Sequence, residues 1–398
     1  AGTPLETLAR EWQCRRAFVH GPGTGAEVGG RFSALTYFGL LPAVLIGVNV
    51  AELLRRADAM AACCGPEVPL EGNPAAQLGI ALGRLALEGR DKLTLLCAGP
   101  LESFGTWAEQ LVAESTGKAG QGILPLCSEP PFQPAAYGTD RLFVELQLAE
   151  RLDPALDRRV QALVDAGHPV IRIRWQDRYD FGGEVVKWSL ATAIAGTVLG
   201  VNPFDEPNVT ESKHRTAVLL DRAAHEGRLA DGEPLRCADD DAALYGAAEL
   251  AGASSPAAGL AAFLQQRRPG DAVIFLSFLP RTEALDGALQ LLRRRVAERL
   301  QAATALQVGP RYLPSTGQLF KGGPDHSVFV LLTSEEYHDL PIPGVAYTFG
   351  TLKQAQALGD EQAMRQKGRR LVRLHLRRHP EQTLRRLRQA FEEADNLI

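Results

Sequence analysis

An α/β fold, in which helices cover mostly parallel sheets, is predicted by three features of this sequence. Short apolar runs alternate with amphipathic stretches of helical period, and this alternation recurs three times along the chain. The composition, with 45% hydrophobic and 23% charged residues, is that of a globular protein. The length of 398 residues exceeds one ordinary domain, so we predict two or three compact units.

The first unit, residues 1–70, is predicted to be mainly helical. We expect a helix at residues 4–12, a strand at 16–20, a glycine-rich loop at 21–30 and helices across 35–62. Loops of this kind can hold nucleotides, but Pro22 lacks an N–H donor where such loops need one. We therefore interpret residues 21–25 as a spacer.

The second unit, residues 71–230, carries the pattern of a sheet between helices. The predicted elements are a helix ending at residue 89, strands at 93–97, 123–127 and 170–175, and helices at 107–113 and 184–199. An acidic, small-residue stretch at 231–256 is interpreted as a connector, because it offers little apolar area to bury.

The third unit, residues 257–398, is predicted to be another α/β domain. Its elements are strands at 272–278, 328–333 and 371–376 and helices at 285–302 and 381–396. We find no repeat period of 20 to 50 residues that would indicate a solenoid.

Charge and cysteine usage argue against several classes of function. A net charge of −4 gives no basic field for nucleic acid, and no stretch reaches the ~20 apolar residues of a membrane-spanning helix. None of the six cysteines forms a Cys-x-x-Cys pair, so zinc or redox chemistry is not predicted. Reduced thiols in a cytoplasmic protein fit this usage.

Three segments carry residue types suited to binding or proton transfer. In Gly29-Gly30-Arg31 a guanidinium follows two residues without side chains, so a small anion can approach both backbone and side chain. Glu114 lies near the end of a predicted helix, where the helix dipole raises a carboxyl pKa toward that of a general base. A tight turn and a plain helix end with Gly117 as its cap are the structural alternatives.

The third segment runs from Asn202 to Lys213. Two prolines fix an irregular approach to a helix that Asn208 is placed to cap and that carries Lys213 near its start. Like-signed repulsion from the helix dipole makes that lysine more useful as a ligand contact than as a stabiliser, although a solvated lysine gives the same pattern.

Together these segments resemble the phosphoglucose isomerase family. The run 28–33 is similar to the family's Gly-Gly-Arg-Tyr/Phe-Ser motif, and the runs 111–118 and 191–213 match the surroundings of its base and its lysine. The isomerase parts of bifunctional transaldolase/phosphoglucose isomerases are the most similar subgroup, since they also share stretches like 309–324 and 349–360.

The resemblance implies sugar-isomerase (SIS) domains, which are flavodoxin-like, doubly wound parallel sheets between helices. Residues 1–70 would then be the remainder of a first SIS domain, 71–230 a second SIS domain and 257–398 a third, C-terminal α/β unit. The implied activity is the interconversion of glucose 6-phosphate and fructose 6-phosphate in glycolysis and gluconeogenesis, with no metal or organic cofactor. A homodimer and an upstream transaldolase fusion are implied as well.

The resemblance also assigns roles to individual residues. Glu114 corresponds to the base that moves a proton between C1 and C2, Arg31 to the cation that offsets the enediolate charge, and Lys213 to the lysine near the ring and C1 oxygens. Gly30 and Glu206 are expected at the substrate. We add a hydroxyl-rich loop as candidate substrate contacts, although a polar loop without a ligand describes it equally well: Ser315, Thr316, Gln318 and Lys321.

The sequence departs from the family pattern at several positions. The phosphate-binding loops of the first SIS domain are not found, which leads us to expect that they lie upstream or on another chain. No histidine stands near residues 191–192, where the ring-opening histidine is expected, so His214 is a candidate substitute or else a surface residue. Glu206 replaces a glutamine, and Pro314 and Phe320 replace histidines. A non-catalytic, sugar-phosphate-binding SIS module is the alternative function.

Overall fold

The computed structural model describes residues 3–20, 28–226, 229, 239, 241–246, 250, 252–336 and 338–393. The chain begins with helices and continues into two helix-covered sheets. The elements before and within the first sheet are α1 (Pro4–Glu11), α2 (Tyr37–Leu45), α3 (Val50–Cys63), α4 (Pro74–Leu87), β1 (Lys92–Cys97), α5 (Glu102–Thr116), β2 (Leu124–Cys127), β3 (Arg141–Leu148), α6 (Pro154–Asp165), β4 (Val170–Trp175) and α7 (Asp180–Leu199). Helix α8 (Val209–Glu226) follows.

The second sheet and its helices occupy the C-terminal part of the chain. Its elements are β5 (Ala242–Tyr245), α9 (Pro256–Leu264), β6 (Ala272–Ser277), α10 (Glu283–Leu300), β7 (Thr304–Val308), α11 (Gly317–Gly322), β8 (Ser327–Ser334), α12 (Phe349–Gln366), β9 (Arg370–Leu376) and α13 (Pro380–Glu393). Most of these helices begin at a residue whose side chain accepts a backbone N–H, as Thr282 and Thr348 do. Each such cap contributes about 1 kcal/mol to helix stability.

Both sheets have the same strand order. The first is parallel throughout, in the order β2-β1-β3-β4, and helices cover both of its faces. The second runs β7-β6-β8-β9 in parallel, with β5 added antiparallel to β9. An order of 2-1-3-4 is that of flavodoxin-like sheets. This confirms the predicted α/β class with doubly wound parallel sheets, and it makes the C-terminal unit a second sheet of the same topology.

Two sequence expectations about strands and boundaries were wrong. Residues 16–20 form irregular chain and not a strand, because Phe18 and Val19 are exposed and pair with no neighbouring strand in the described part of the chain. The predicted connector 231–256 contains β5, whose four side chains are buried against the second sheet. Small residues favour a connector in the sequence, yet Ala242 and Ala243 are buried and Ala242 belongs to the apolar core of the second sheet.

Glycines let the helices around the first sheet approach closely. A Cβ at Gly79 would lie 2.4 Å from the carbonyl oxygen of Ala191, and one at Gly182 would lie 2.2 Å from that of Leu53. Helix α7 therefore packs tightly between α3 and α4. Arg56 adds ion pairs from α3 to Asp177 and Asp180 at the start of α7.

One apolar core joins the two sheets. It combines Leu124 and Leu126 of β2 with residues of the second sheet and with Tyr312 and Leu319 near α11. Burial of such side chains contributes about 25 cal/mol per Å² of apolar surface. The second sheet is thus packed against the elements that carry the candidate site, and α11 touches the end of α5.

Candidate active site

Arg31 is the centre of the candidate site. It lies in a short 3-10 turn, Gly30–Phe32, and its side chain is only 1% exposed. Each guanidinium nitrogen has a protein partner: Nε donates to Ser115 Oγ at 3.0 Å, Nη1 to Glu206 Oε2 at 2.9 Å, and Nη2 to the carbonyl oxygens of Pro203 and Asp205 at 3.0 Å. A buried guanidinium needs this number of acceptors, because an unpaired charge in the interior costs several kcal/mol.

Glu114 stands beside this guanidinium. Its Oε1 is 3.1 Å from Arg31 Nη1, and Gln110 Nε2 donates to its Oε2 at 3.2 Å. Burial raises the pKa of the Glu114 carboxyl above its ordinary value, although the Arg31 charge acts in the opposite direction. The sequence also predicts a raised pKa for Glu114, but from the helix dipole. In the structure the main cause of the raised pKa is desolvation of the carboxyl.

Gly117, predicted to cap α5, follows the helix without the left-handed conformation typical of such caps, since its φ is −76°. A glycine is required there for a different reason. A Cβ at this position would lie 2.3 Å from Leu319 Cα, so Gly117 makes room for α11.

The segment 202–208 closes one side of the site. Its carbonyl groups and Glu206 hold Arg31. Lys118, two residues after the end of α5, forms an ion pair with Asp205 at 2.8 Å and donates to the carbonyl oxygen of Asn202. Phe204, which is exposed, contacts the ring of Phe32 at a centroid distance of 5.5 Å. The side chain of Glu206 is 43% exposed and is the most accessible charged group in contact with Arg31.

The structure brings the carboxylates of Glu114 and Glu206 to the guanidinium of Arg31. Gly30 is exposed beside Arg31, and its carbonyl oxygen accepts from Ser33 Oγ at 2.8 Å. Lys213 and His214 are exposed on α8, and within the described residues neither has a hydrogen bond or ion pair. Their roles therefore stay predictions.

The four residues of the predicted oxyanion loop are buried and have internal partners. Ser315 Oγ donates to the carbonyl oxygen of Tyr312 at 3.1 Å, and Thr316 Oγ1 donates to Gln307 Oε1 at 3.1 Å. Gln318 binds backbone groups, and Lys321 pairs with Asp360 at 2.8 Å. The loop is polar because it has these internal partners, and substrate contact by its side chains stays a prediction.

Sequence reasoning overlooked several residues that build the site. Trp107 Nε1 donates to the carbonyl oxygen of Arg31 at 3.0 Å, and Ser115, Gln110 and Lys118 contact the residues described above. Trp107, Gln110, Glu114 and Lys118 are spaced by three or four residues along and just beyond α5, which places them on one face. That spacing is a signal which the sequence does contain.

A second buried carboxyl lies on the same helix. Glu109 accepts from Gln307 Nε2 at 2.9 Å, and burial raises the pKa of Glu109 to about 7. Since 100° separates successive residues, the two glutamates point about 140° apart around α5. Glu109 therefore faces the second sheet while Glu114 faces Arg31.

Glu109 is expected to make folding stability depend on pH. Its folded pKa is above its unfolded value of about 4.3, so folding takes up a proton between these values and the free energy of unfolding falls as pH rises toward about 7. Glu109→Gln removes this titration. The difference between the two free energies of unfolding, variant minus natural protein, should therefore increase by about 2–3 kcal/mol from pH 5 to pH 8. Denaturant titrations at both pH values measure it, with the exposed Glu88→Gln as control; parallel pH profiles would contradict the expectation.

Curated proteins of known name match about half of this sequence. Glucose-6-phosphate isomerases from Bacillus cereus (strain AH187) and Bacillus anthracis are each 30% identical to this sequence over 244 residues, which cover 52% of this chain and 54% of theirs. Over this part of its length the chain is similar to phosphoglucose isomerases. It spans about half the length of the curated relatives it matches, and no family model matches it.

The solved structures that match this chain do so with lower sequence identity. The glucose-6-phosphate isomerase of Chlamydia trachomatis is 14% identical, with a TM-score of 0.25, over 85% of this chain and 72% of its own. The C-terminal domain of glucosamine-fructose-6-phosphate aminotransferase from Francisella tularensis is 10% identical, with a TM-score of 0.26, over 86% and 94%. At such scores neither structure adds to the functional argument.

Membrane-spanning helices and metal-binding clusters are both absent from the part of the chain that the structure describes. None of the described helices is both long and apolar enough to cross a bilayer. Within the same part of the chain, no three His, Cys, Asp or Glu side chains are grouped to hold a metal ion.

Proposed function

We propose that this chain catalyses the interconversion of glucose 6-phosphate and fructose 6-phosphate as an aldose–ketose isomerase. The observation that supports this most is the Glu114 carboxylate, which is buried, has a raised pKa and lies 3.1 Å from the Arg31 guanidinium. A base of raised pKa beside a fixed cation is the pair that enediolate chemistry needs. Similarity to glucose-6-phosphate isomerases supports the same reaction.

In the proposed mechanism Glu114 takes the proton from C2 of the open-chain aldose and returns it to C1. The electron pair left at C2 forms the enediolate, and a second proton moves between the two oxygens so that the product is the ketose. Arg31 offsets the negative charge that develops on those oxygens. Lys213 is proposed to act at the ring and C1 oxygens, with His214 as the candidate for ring opening.

Contact between Arg31 and the reacting oxygens requires a change in its present partners. All of its guanidinium nitrogens are engaged by protein groups. Of its two carboxylate partners, Glu206 is more exposed than Glu114. We propose that substrate binding displaces the Glu206 carboxylate and takes its place at Nη1. Gly30, which is exposed beside Arg31, leaves the approach to the backbone open.

Glu206→Gln is expected to shift the pH dependence of the reaction. The negative charge of Glu206 contributes to the raised pKa of Glu114, so the neutral amide should lower that pKa. The base must be ionised to act, and kcat/KM falls as pH decreases through its pKa. The acidic limb of the kcat/KM profile should therefore move to lower pH. The matched control is Glu211→Gln on α8, and an unmoved limb would contradict the prediction.

A non-catalytic sugar-phosphate sensor is the second candidate function. The complete engagement of Arg31 by protein groups favours it, since such an arginine acts as a structural element until something displaces its partners. If the protein is a sensor, the natural protein shows no turnover and the Glu114→Ala variant still binds sugar phosphate. An isomerase shows turnover and loses it.

Assembly and location are proposed on the family resemblance. We propose a homodimer, a transaldolase domain fused upstream, and a cytoplasmic protein with reduced thiols. The cysteines of the described residues are free, consistent with reduced thiols: Cys14, Cys63, Cys64, Cys97 and Cys127.

The test of the proposed function is an isomerisation assay with the protein in its full natural length. Fructose 6-phosphate is supplied, and glucose 6-phosphate is detected with a coupled dehydrogenase. Turnover that is lost in Glu114→Gln supports the isomerase. Binding of fructose 6-phosphate without turnover supports the sensor, and the absence of both excludes each.

A further inference from the structure

Helix α11 lies where the two helices that carry the candidate catalytic residues meet. Its residue Gln318 is completely buried, between the end of α5, which carries Glu114, and the start of α8, which carries Lys213. The two helices are far apart in sequence, so their relative position depends on tertiary contacts such as those made by α11.

The Gln318 amide binds both helix ends at once. Its Nε2 donates to the carbonyl oxygen of Gly117, just after α5, at 3.0 Å and to Asn208 Oδ1 at 2.9 Å. Its Oε1 accepts the backbone N–H of Asn208, just before α8, at 2.8 Å. The last carbonyls of a helix and the first amides of another lack partners within their own helices. A side-chain amide can satisfy one of each, since it has both donors and an acceptor.

The surrounding backbone is shaped for this arrangement. A Cβ at Gly322 would lie 2.5 Å from Asn208 Oδ1, 2.7 Å from the carbonyl oxygen of Gly117 and 2.8 Å from Gln318 Nε2. The carbonyl oxygen of Gly322 also accepts from the backbone N–H of Gly120 at 2.9 Å. Glycine at 322 therefore leaves the space that the three polar groups occupy.

We infer that Gln318 is a positioning residue. It sets the position of Glu114 on α5 relative to the segment 202–208 and the start of α8. This inference rests on the proposed isomerase function, and it replaces the substrate contact predicted for Gln318 from the sequence. Asn208 lies two residues after Glu206 in the segment that holds Arg31, so Gln318 fixes that segment relative to α5. A displacement of 1 Å between reacting groups lowers a rate by about 100-fold.

The test is a set of variants in the full-length natural protein. Gln318→Met keeps the shape of the side chain and removes all three hydrogen bonds. We expect kcat for isomerisation to fall about 10- to 100-fold, with KM changed by less than about threefold, because the lost alignment matters most in the transition state. Thr333→Val is the control, since it removes a buried hydrogen bond to His375 in the same sheet unit, away from α5 and α8.

Gln318→Glu separates positioning from general loss of stability. The introduced carboxylate keeps an acceptor for the Asn208 N–H but turns an oxygen toward Gly117 O and Asn208 Oδ1, which are acceptors. Protonation supplies one donor again. The ratio of its kcat to that of the natural protein should therefore rise as pH is lowered from 8 to 6, whereas the ratio for Thr333→Val stays flat.

The outcomes distinguish this inference from the function on which it rests. If the natural protein isomerises and Gln318→Met keeps its kcat within twofold, the positioning role is overturned alone. The same holds if Thr333→Val loses as much kcat as Gln318→Met, or if the Gln318→Glu ratio is flat. If the natural protein does not isomerise sugar phosphates, the proposed function and this inference fail together.

Discussion

Glu114→Gln is expected to lower kcat for the isomerisation of fructose 6-phosphate about 10²- to 10⁴-fold, the range that general acid–base catalysis contributes. The amide has nearly the shape of the carboxylate, so packing against Arg31 and Gln110 is retained. It cannot accept a proton from carbon. Because only the proton transfer is removed, we expect the Kd for fructose 6-phosphate to change by less than about fivefold. Steady-state kinetics and titration calorimetry measure the two quantities.

Glu109→Gln is a closely matched control for this prediction. It makes the same substitution on the same helix, at a carboxyl that is also buried and has a raised pKa. Its hydrogen-bond partner is Gln307, away from Arg31. We expect kcat to stay within about twofold of the natural value, since Glu109 does not face the candidate site. Equal losses in both variants would indicate a general effect on α5 and would contradict the assignment of Glu114 as the base.

The sheets show which strands a single sequence reveals. β1 and β6 are nearly continuous apolar runs between turns, and both were predicted to within a residue or two. β3 was missed because Arg141, Glu145 and Gln147 interrupt its pattern, although all three are buried. Arg141 is paired with Glu129 at 2.7 Å in the folded chain. A strand whose polar residues are neutralised by distant partners looks like an exposed segment in the sequence.

The candidate site also depends on partners that lie far apart in the sequence. Arg31 contacts Ser115 and Glu206, which are 84 and 175 residues away, and no local pattern links such positions. Family resemblance, and not spacing, predicts Glu206 at the same site as Arg31, and it does not predict the contact with Ser115. The carbonyl groups of Pro203 and Asp205 cannot be read from side-chain identity at all. The one local signal was the spacing of Trp107, Gln110 and Glu114 on α5.

The loop 315–321 shows why polarity is ambiguous. Its hydroxyl, amide and ammonium groups suit an anion in water, but the same groups occur where a buried junction must satisfy backbone ends. The sequence does not state which of the two applies. In the folded chain Gln318 and Lys321 are buried and engaged by internal partners, and a contact with substrate stays a prediction.

Lys321→Met is expected to lower the free energy of unfolding by about 3–5 kcal/mol, the cost of leaving one partner of a buried ion pair alone. Lys321 and Asp360 have side chains that are 0% and 1% exposed, and their charged atoms are 2.8 Å apart. Asp360 also accepts from Ser212 Oγ at 2.9 Å and Tyr312 OH at 2.7 Å. These two hydrogen bonds remain in the variant, but they supply no positive charge. Urea denaturation followed by circular dichroism measures the change.

Lys367→Met provides the matched control, because the same substitution there breaks a more exposed ion pair. The side chains of Lys367 and its partner Glu211 are 40% and 25% exposed. Its cost should be below about 1 kcal/mol. The double variant Lys321→Met with Asp360→Asn identifies the cause of the larger effect. If the uncompensated charge dominates, Lys321→Met costs less in the Asp360→Asn background, by about 0.5–3 kcal/mol. Equal costs in both backgrounds would show that packing of the lysine stem, and not its charge, holds α11 and α12 together.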